Sequence, residues 1–360
     1  MAFIYPDEFN SSIVLDQAIT DLYNYEFNDS KIKLDLIKKE DPLNPIAPFL
    51  NIVVEWLYNQ TQYGYAESYE AIINGLNNTI PIYKKLIKKY PENAQYYLYL
   101  GSSYGLKARV SLAKKEWFDV LSSGYKGYKY ILKTNKLDKT IYDYYLPIGL
   151  LEYFLCISSR PVQMGGKIMG FDSDCDVGKS NLELALEKSK YSWIEASNIL
   201  TYIYLYFERD YENALRTIGP LVENFPGHPF FTFLKAEALA KSGHWEELDS
   251  LRPRLEFFVK NGTFLQKNEC ELKLKYINAI YAFEIQDFDI VFENTDWIIN
   301  NYHMEFDWLL GLTYMIRGQT FDKLNMQNLA IKEYHSVVKL NNYFPEIDEA
   351  KELIKLLGKR

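Results

Sequence analysis

The chain has 360 residues, 48% of them hydrophobic and 24% charged, and its formal net charge is −8. This composition is that of a folded protein and excludes disorder as the main state. The acidic balance argues against nucleic-acid binding, because a nucleic-acid partner requires a basic surface that displaces its counterions. The length exceeds that of an average single-core domain, although repeat proteins escape this limit because each unit packs only on its neighbours.

Amphipathic helices are predicted along the whole chain. After a short N-terminal tail, apolar residues recur at i, i+3, i+4 and i+7 in stretches such as DQAITDLYNY, PIYKKLIKKY and ASNILTYIYLYF. Short polar breaks separate these stretches, and short loops between amphipathic helices indicate antiparallel neighbours. Pro81 lies inside one helical stretch and is predicted to kink or break it.

A spaced motif of aromatic residues and glycine lies near residue 100. Four residues follow the aromatic-x₂-Leu-Gly-x₂-Tyr pattern typical of the first helix of a tetratricopeptide repeat: Tyr97, Leu100, Gly101 and Tyr104. Glycine lets two helices approach closely, and large aromatic side chains fill the space beside it. Ala113 is assigned to the small-residue position of the second helix, with Trp117 four residues later.

The most apolar stretch, residues 144–157, is interrupted by Pro147 and Glu152. It is shorter than the ~20 residues that a membrane-spanning helix requires, so no membrane span is predicted. The chain opens without the charged, apolar and small-residue segments of an export signal. We therefore expect either a cytoplasmic protein or a mature chain whose signal has been removed.

A long glycine-rich loop is predicted for residues 161–175, between helix pairs, and a possible binding loop follows it. Gly178, Lys179 and Ser180 match the end of a phosphate-binding loop. Ser173, however, stands where that motif requires its first glycine, and no strand precedes it. ATP binding is therefore not predicted.

A calcium site is the alternative for the same segment. Four carboxylates have the spacing of positions 1, 3, 5 and 12 of an EF-hand loop: Asp172, Asp174, Asp176 and Glu183. The sixth position requires glycine for its sharp turn, and Val177 occupies it. The interpretation that we favour is that Asp174 or Asp176 caps a helix that begins near Val177.

The three cysteines, Cys156, Cys175 and Cys270, stand far apart in the sequence without CxxC spacing. This pattern predicts neither a disulfide framework nor a zinc site. Cys156 is predicted to be a buried small apolar residue, and Cys175 an exposed thiol among aspartates. The four histidines form no HxxxH pair, so no metal, cofactor or catalytic residue is predicted.

A 34-residue period follows residue 195. A shift by this length aligns Ala236 with Tyr202 and Leu248 with Ala214, and it is the period expected of a tetratricopeptide helix-turn-helix.

The core of the motif recurs near residue 310. It consists of Leu310, Gly311 and Tyr314. The corresponding residues of the second helix, Ala330 and Tyr334, come seven positions later than the regular spacing allows, so an insertion over GQTFDKLN is predicted. The last helix, 347–359, is charged on one side and suits a terminal cap.

With these motifs, residues about 90–260 resemble a bacterial tetratricopeptide-repeat family that is distantly similar to the eukaryotic outer-mitochondrial-membrane tetratricopeptide proteins. The resemblance covers about half of the chain and rests on YLYLGSSYGLKARVSLAKKEW, TIYDYYLPIGLLEYFL and SWIEASNILTYIYLYFERDYENALRTIGPLVENFPGHP. It implies a helical repeat protein and supplies no catalytic residue.

The sequence therefore predicts an all-α, tetratricopeptide-like superhelical solenoid of roughly six or seven antiparallel helix pairs. Residues 1–160 form its N-terminal repeats and residues 176–360 its C-terminal repeats with a capping helix, in one continuous solenoid.

We expect a non-catalytic scaffold that holds a protein or peptide partner on its concave face. Seven residues are predicted by repeat position to line this groove: Ala196, Ile199, Ile203, Tyr206, Phe230, Phe233 and Glu237. The alternative is a calcium- or small-ligand-binding helical module centred on residues 165–183. An enzyme is the least supported reading.

Overall fold

The structure is a computed structural model that describes residues 9–158, 160–171, 173–340 and 344–358, without the side chain of Pro161. These residues form 18 α-helices, one 3₁₀ turn and one π-helical segment, and no strand occurs among them. The prediction of an all-α fold is confirmed. The helices form two compact units. The first comprises residues up to 156, 160–197 and 223–228, and the second comprises the remaining residues.

Helices α1 to α9 lie in the first unit. Their bounds are α1 Ser11–Tyr23, α2 Phe27–Glu40, α3 Ala47–Gln62, α4 Tyr65–Lys89, α5 Ala94–Ala113, α6 Trp117–Leu137, α7 Tyr145–Ile157, α8 Arg160–Ile168 and α9 Cys175–Lys188. A 3₁₀ turn, Tyr142–Tyr144, precedes α7. Helix α1 packs on α2, α3 on α4, and α5 on α6, and contacts of α2 with α3 and of α4 with α5 join these pairs.

The second unit begins within α10. The remaining bounds are α10 Trp193–Tyr202, the π-helical segment Ile203–Glu208, α11 Tyr211–Asn224, α12 Pro229–Ser242, α13 Trp245–Asn261, α14 Phe264–Glu284, α15 Phe288–Asn301, α16 Trp308–Lys323, α17 Gln327–Lys339 and α18 Glu346–Leu357. Pairs form between α12 and α13, α14 and α15, and α16 and α17, while α18 packs on α16 and α17. Within each unit the helices thus stack as antiparallel pairs, which is the tetratricopeptide-like arrangement. Among the described helices, none is long and apolar enough to cross a membrane.

The turns between paired helices repeat the same backbone geometry. In the second unit each turn contains one residue with positive φ: Arg209, Gly243, Gln286 and Asn325. The residue five positions later is fully buried in every case: Ala214, Leu248, Val291 and Ala330. The first two turns are 34 residues apart, so the period predicted after residue 195 is confirmed.

A close approach of α5 and α6 depends on glycine. A Cβ added to Gly101 would lie 2.6 Å from Ile131 Cδ1 and 2.9 Å from the carbonyl oxygen of Gly127. The predicted role of Gly101 is confirmed. The assignment of Ala113 to the second helix was wrong, because α5 continues to Ala113 and the chain turns only at Lys115, which has a φ of 60°.

The motif near residue 310 has a different register from the predicted one. Helix α16 continues to Lys323 and contains most of the predicted insertion. Gly318, rather than Gly311, packs against the ring of Tyr334 in α17. Because Gly318 lies twelve residues before the buried Ala330, the regular spacing is kept without an insertion.

Two segments that were predicted to interrupt helices are helical. Helix α4 continues through Pro81. Proline has no N–H group to donate to the carbonyl oxygen of Asn77, four residues earlier. Because Pro81 and Asn77 are both exposed, water can donate that hydrogen bond instead. Helix α8 occupies much of the predicted loop at 161–175. Gly166 packs tightly in this helix, because a Cβ added to it would lie only 3.1 Å from Leu155.

A disulfide joins the end of α7 to the start of α9. Cys156 and Cys175 are bonded with their Cα atoms 5.4 Å apart. Nearby, Asn181 donates a 2.6 Å hydrogen bond to Glu152 Oε2. The prediction that no disulfide would form was wrong, because linear spacing does not reveal that α7 lies against α9. Residues 160–175 belong to the first unit.

Candidate partner-binding site

The seven residues predicted to line a groove are mostly interior. Five are buried: Ala196, Ile203, Tyr206, Phe233 and Glu237. Only Ile199 and Phe230 are partly exposed. Ala196 belongs to the first unit, whereas the other six belong to the second. The buried apolar members pack in the core, and Phe233 belongs to a cluster with Leu239 and Leu255.

Tyr206, Glu237 and Lys241 form a buried polar triad. The Tyr206 hydroxyl donates a 2.7 Å hydrogen bond to Glu237 Oε2, and Lys241 Nζ lies 3.0 Å from Glu237 Oε1. Burial, followed by the charge of Glu237, raises the pKa of Tyr206 well above its usual value. Burial alone would lower the pKa of Lys241, but neighbouring Tyr276 and Glu237 outweigh it and raise that pKa. Each oxygen of the Glu237 carboxylate therefore lies close to one of these two side chains.

Lys273 is a second buried cation on the same face. Lys273 is only 4% exposed, and its Nζ atom lies 4.8 Å from the centre of the Trp308 ring and 5.9 Å from the centre of the Phe230 ring. Among the described residues, no carboxylate forms an ion pair with this ammonium. Burial lowers the pKa of Lys273, although Glu237 and Glu269 oppose the shift. Aromatic rings thus supply its main contacts.

These groups belong to one cluster, which we call the inner-face cluster. Its members are Tyr206, Glu237, Lys241, Lys273, Tyr276 and Trp308. Each comes from the π-helical segment or from α12, α14 or α16, which are the first helices of their pairs. The rings of Tyr206 and Trp308 lie 4.8 Å apart, so side chains from both ends of the unit meet. The side chains of this cluster therefore pack against one another across the inner face of the unit.

The N-terminal end of α18 closes this face. Arg209 follows the π-helical segment, and its guanidinium pairs with Glu349 and lies 3.7 Å from Glu346. Phe344, just before α18, stacks on Phe207 with ring centres 5.2 Å apart. Burial raises the pKa of Glu346, while Lys241 and Arg209 oppose the shift. An acidic, aromatic helix end thus rests on a cationic, aromatic surface.

The segment proposed as an alternative calcium loop begins a helix. Asp174 is the N-cap of α9, and its Oδ1 accepts hydrogen bonds from the backbone N–H groups of Asp176 and Val177. The capping prediction is confirmed for Asp174. Asp172 lies outside the described residues. Within the parts of the chain that the structure describes, no three His, Cys, Asp or Glu side chains are grouped to hold a metal.

Gly178, which matches the end of a phosphate-binding motif in the sequence, has a packing role. It lies inside α9, and a Cβ there would come within 2.6 Å of the backbone nitrogen of Tyr153 in α7. The glycine permits contact between helices, and none of the described residues before it forms the strand that a phosphate-binding loop requires.

Comparisons with known proteins do not establish a family. No protein-family model matches the sequence, and no curated protein matches it. Among solved structures, the chain is similar to one described as the crystal structure of the yeast Tom70. The TM-score is 0.39 and the identity 11%, over 97% of this chain and 81% of that chain. A similarity this low carries no conclusion about function.

Sequence reasoning missed Lys273, Trp308 and the contact of Arg209 with α18. Lys273 lies in an amphipathic stretch where lysine normally faces water. The sequence of α18 contained a weak signal for the contact with Arg209. Its first turn contains Glu346, Asp348 and Glu349, and an acidic turn of this kind can form an ion pair with a cation from another helix. The identity of that cation depends on tertiary structure.

Proposed function

We propose that this protein is a non-catalytic scaffold that binds a protein or peptide partner through the inner face of its second unit. The observation that supports this most directly is the seating of α18, whose acidic end lies against Arg209 and Phe207. A surface that holds a helix end of its own chain has the contacts needed to hold one from another protein. The helix-pair fold presents such faces without requiring reactive groups.

Of the residues predicted to contact a partner, Ile199 and Phe230 are partly exposed while α18 rests on the inner face. Tyr206 and Glu237 would take part only after the face opens, because both are buried. Phe230 also contacts Lys273 at the edge of the inner-face cluster, so a partner at Phe230 would be close to the charged groups.

Site-specific photocrosslinking in cells tests this proposal. A photoreactive amino acid is placed at Phe230, and in a matched chain at Leu329, an exposed residue on α17. We expect the Phe230 position to give a discrete crosslinked protein, identified by mass spectrometry, and the Leu329 position to give none. Equal labelling from both positions, or none from Phe230, would contradict binding at the inner face.

A further inference from the structure

The end of α18 is held by two separable sets of contacts. Ile347, Ala350 and Leu357 are buried in an apolar cluster with residues of α16 and α17, and they anchor the helix to the adjoining pair. Phe344, Glu346 and Glu349 instead contact the opposite end of the unit, at Phe207 and Arg209. We call this second set the clasp.

The clasp is the weaker of the two sets. The Arg209 side chain is 45% exposed and the Glu349 side chain 31%, so water and salt screen this ion pair, and such pairs contribute little to stability. Glu346 is more buried and lies 3.7 Å from Arg209. The aromatic pair adds a modest amount to the burial of its area. The clasp can therefore separate if the first turn of α18 unwinds, while Leu357 keeps the C-terminal part of the helix on α16 and α17.

Opening the clasp would leave a cation of this face without its carboxylates. Arg209 would lose Glu346 and Glu349, and Lys273 already lacks an ion-pair partner among the described residues although it is more than nine-tenths buried. Lys241 retains Glu237. Arg209 would then lack these two carboxylates, while Lys273 would keep the charges of Glu237 and Glu269 without an ion pair among the described residues. An added carboxylate would stabilise both cations.

We propose that the inner face of the second unit is a binding site for an acidic helical segment of a partner protein, and that the N-terminal end of α18 occupies this site in the closed state. The partner segment carries an aromatic residue just before a helix whose first turn contains two carboxylates. Its carboxylates replace Glu346 and Glu349 at Arg209, and its aromatic residue replaces Phe344 on Phe207. This inference rests on the proposed function and names the partner's chemistry.

A binding assay on the full chain tests the proposal. The probe is a fluorescent synthetic peptide with the sequence of residues 344–358, and its anisotropy is measured with three proteins: wild type, the double variant Glu346→Gln with Glu349→Gln, and Asp348→Asn. Asp348 is the matched control, because it lies in the same helical turn, is 85% exposed in its side chain and, among the described residues, pairs with Lys351 on its own helix rather than with Arg209.

We expect the double variant to bind the peptide about fivefold to tenfold more tightly than wild type. In the wild type the end of α18 competes for the site, so the apparent affinity is scaled by the fraction of molecules in which the site is open, and the double variant raises that fraction. Asp348→Asn should bind as wild type does. Adding Arg209→Gln to the double variant should remove the gain, and a peptide with glutamine in place of both glutamates should bind at least fivefold more weakly.

The proposal is overturned if the double variant binds the peptide no better than Asp348→Asn, or if the neutral peptide binds as well as the acidic one. Phe344→Ala serves as a second variant, because it weakens the clasp and leaves every charge in place, and it should also tighten binding. Circular dichroism establishes that each variant is folded.

The outcome can be separated from that of the proposed function. A crosslinked partner at Phe230 with no peptide binding would retain the scaffold and reject the acidic-helix chemistry. Peptide binding that depends on Arg209, without a crosslinked partner, would retain the site and reject the scaffold proposal.

Discussion

Tyr206 donates a hydrogen bond to Glu237 across 2.7 Å, although 31 residues separate them in the chain. The other oxygen of the same carboxylate lies 3.0 Å from Lys241 Nζ. Both contacts are buried, so the charge of Glu237 depends on them for compensation. This pair joins the π-helical segment to α12 and forms the base of the inner-face cluster.

Removing the Tyr206 hydroxyl should destabilise the protein. Tyr206→Phe leaves one buried carboxylate oxygen without its donor, and we expect a loss of about 1–3 kcal/mol in the free energy of unfolding. Urea denaturation measures it. Tyr63→Phe is the control, because Tyr63 is 64% exposed; equal stability of the two variants would contradict the prediction.

The disulfide should be visible in a thiol count. With Cys156 and Cys175 bonded and Cys270 free, the denatured, unreduced protein should react with one alkylating group, and the reduced protein with three. Mass spectrometry resolves the two masses.

Loss of this disulfide should also lower stability. The two bonded cysteines are 19 positions apart in the sequence, and a bond over this distance restricts the unfolded chain. Cys156→Ser should therefore reduce the free energy of unfolding by about 3 kcal/mol. The melting temperature of the first unit, followed with and without reductant, checks this. Three reactive thiols in unreduced protein would show that the bond does not form.

Two glycines of α6 should respond to alanine in opposite ways. A Cβ on Gly127 would lie 2.9 Å from the carbonyl oxygen of Gly101, which is backbone and cannot move aside easily, whereas Gly124 has open space around it. Gly127→Ala should therefore cost about 1–3 kcal/mol, while Gly124→Ala should stabilise the helix by up to about 1 kcal/mol. Denaturant unfolding of both variants gives the comparison, and a loss of equal size in both would contradict it.

Acidification should destabilise the first unit through His228. Burial lowers the pKa of this imidazole to about 3, and the ring of Tyr25 lies edge-on with its centre 4.8 Å away. Below its ordinary pKa of 6.5 the unfolded chain binds a proton that the folded chain does not, so stability is lost as the pH falls from 6.5 towards 3.

The size of this effect can be measured between pH 7 and pH 5. Protonation of the unfolded His228 should cost about 2 kcal/mol over that interval. His228→Gln has no imidazole, so its stability should fall less than that of wild type over the same interval, whatever its starting stability. Parallel pH profiles of the two proteins would rule out this assignment.

Features that depend on neighbours in sequence were predicted correctly. Apolar residues at helical spacing predicted the helix pairs, the 34-residue shift matched the turns at Arg209 and Gly243, and the carboxylate of Asp174 caps α9. Gly101 was also placed correctly, because a close helix contact within one pair requires little more than a missing side chain.

The assignments that failed depend on which helix faces meet. The register near Gly318 follows from its contact with Tyr334, and the disulfide follows from the crossing of α7 and α9. The groove residues stay a prediction: five of the seven are buried, and the ring of Trp308 lies against that of Tyr206.

By itself, the sequence determined the all-α fold, the pairing of neighbouring helices and the local caps, because backbone hydrogen bonds and helical periodicity act over a few residues. Only the tertiary structure decided that Cys156 bonds to Cys175, that Lys273 is buried between aromatic rings, and that the acidic end of α18 rests on Arg209. Those outcomes depend on packing between segments far apart in the chain, where many partners satisfy the same local pattern and shape complementarity selects one.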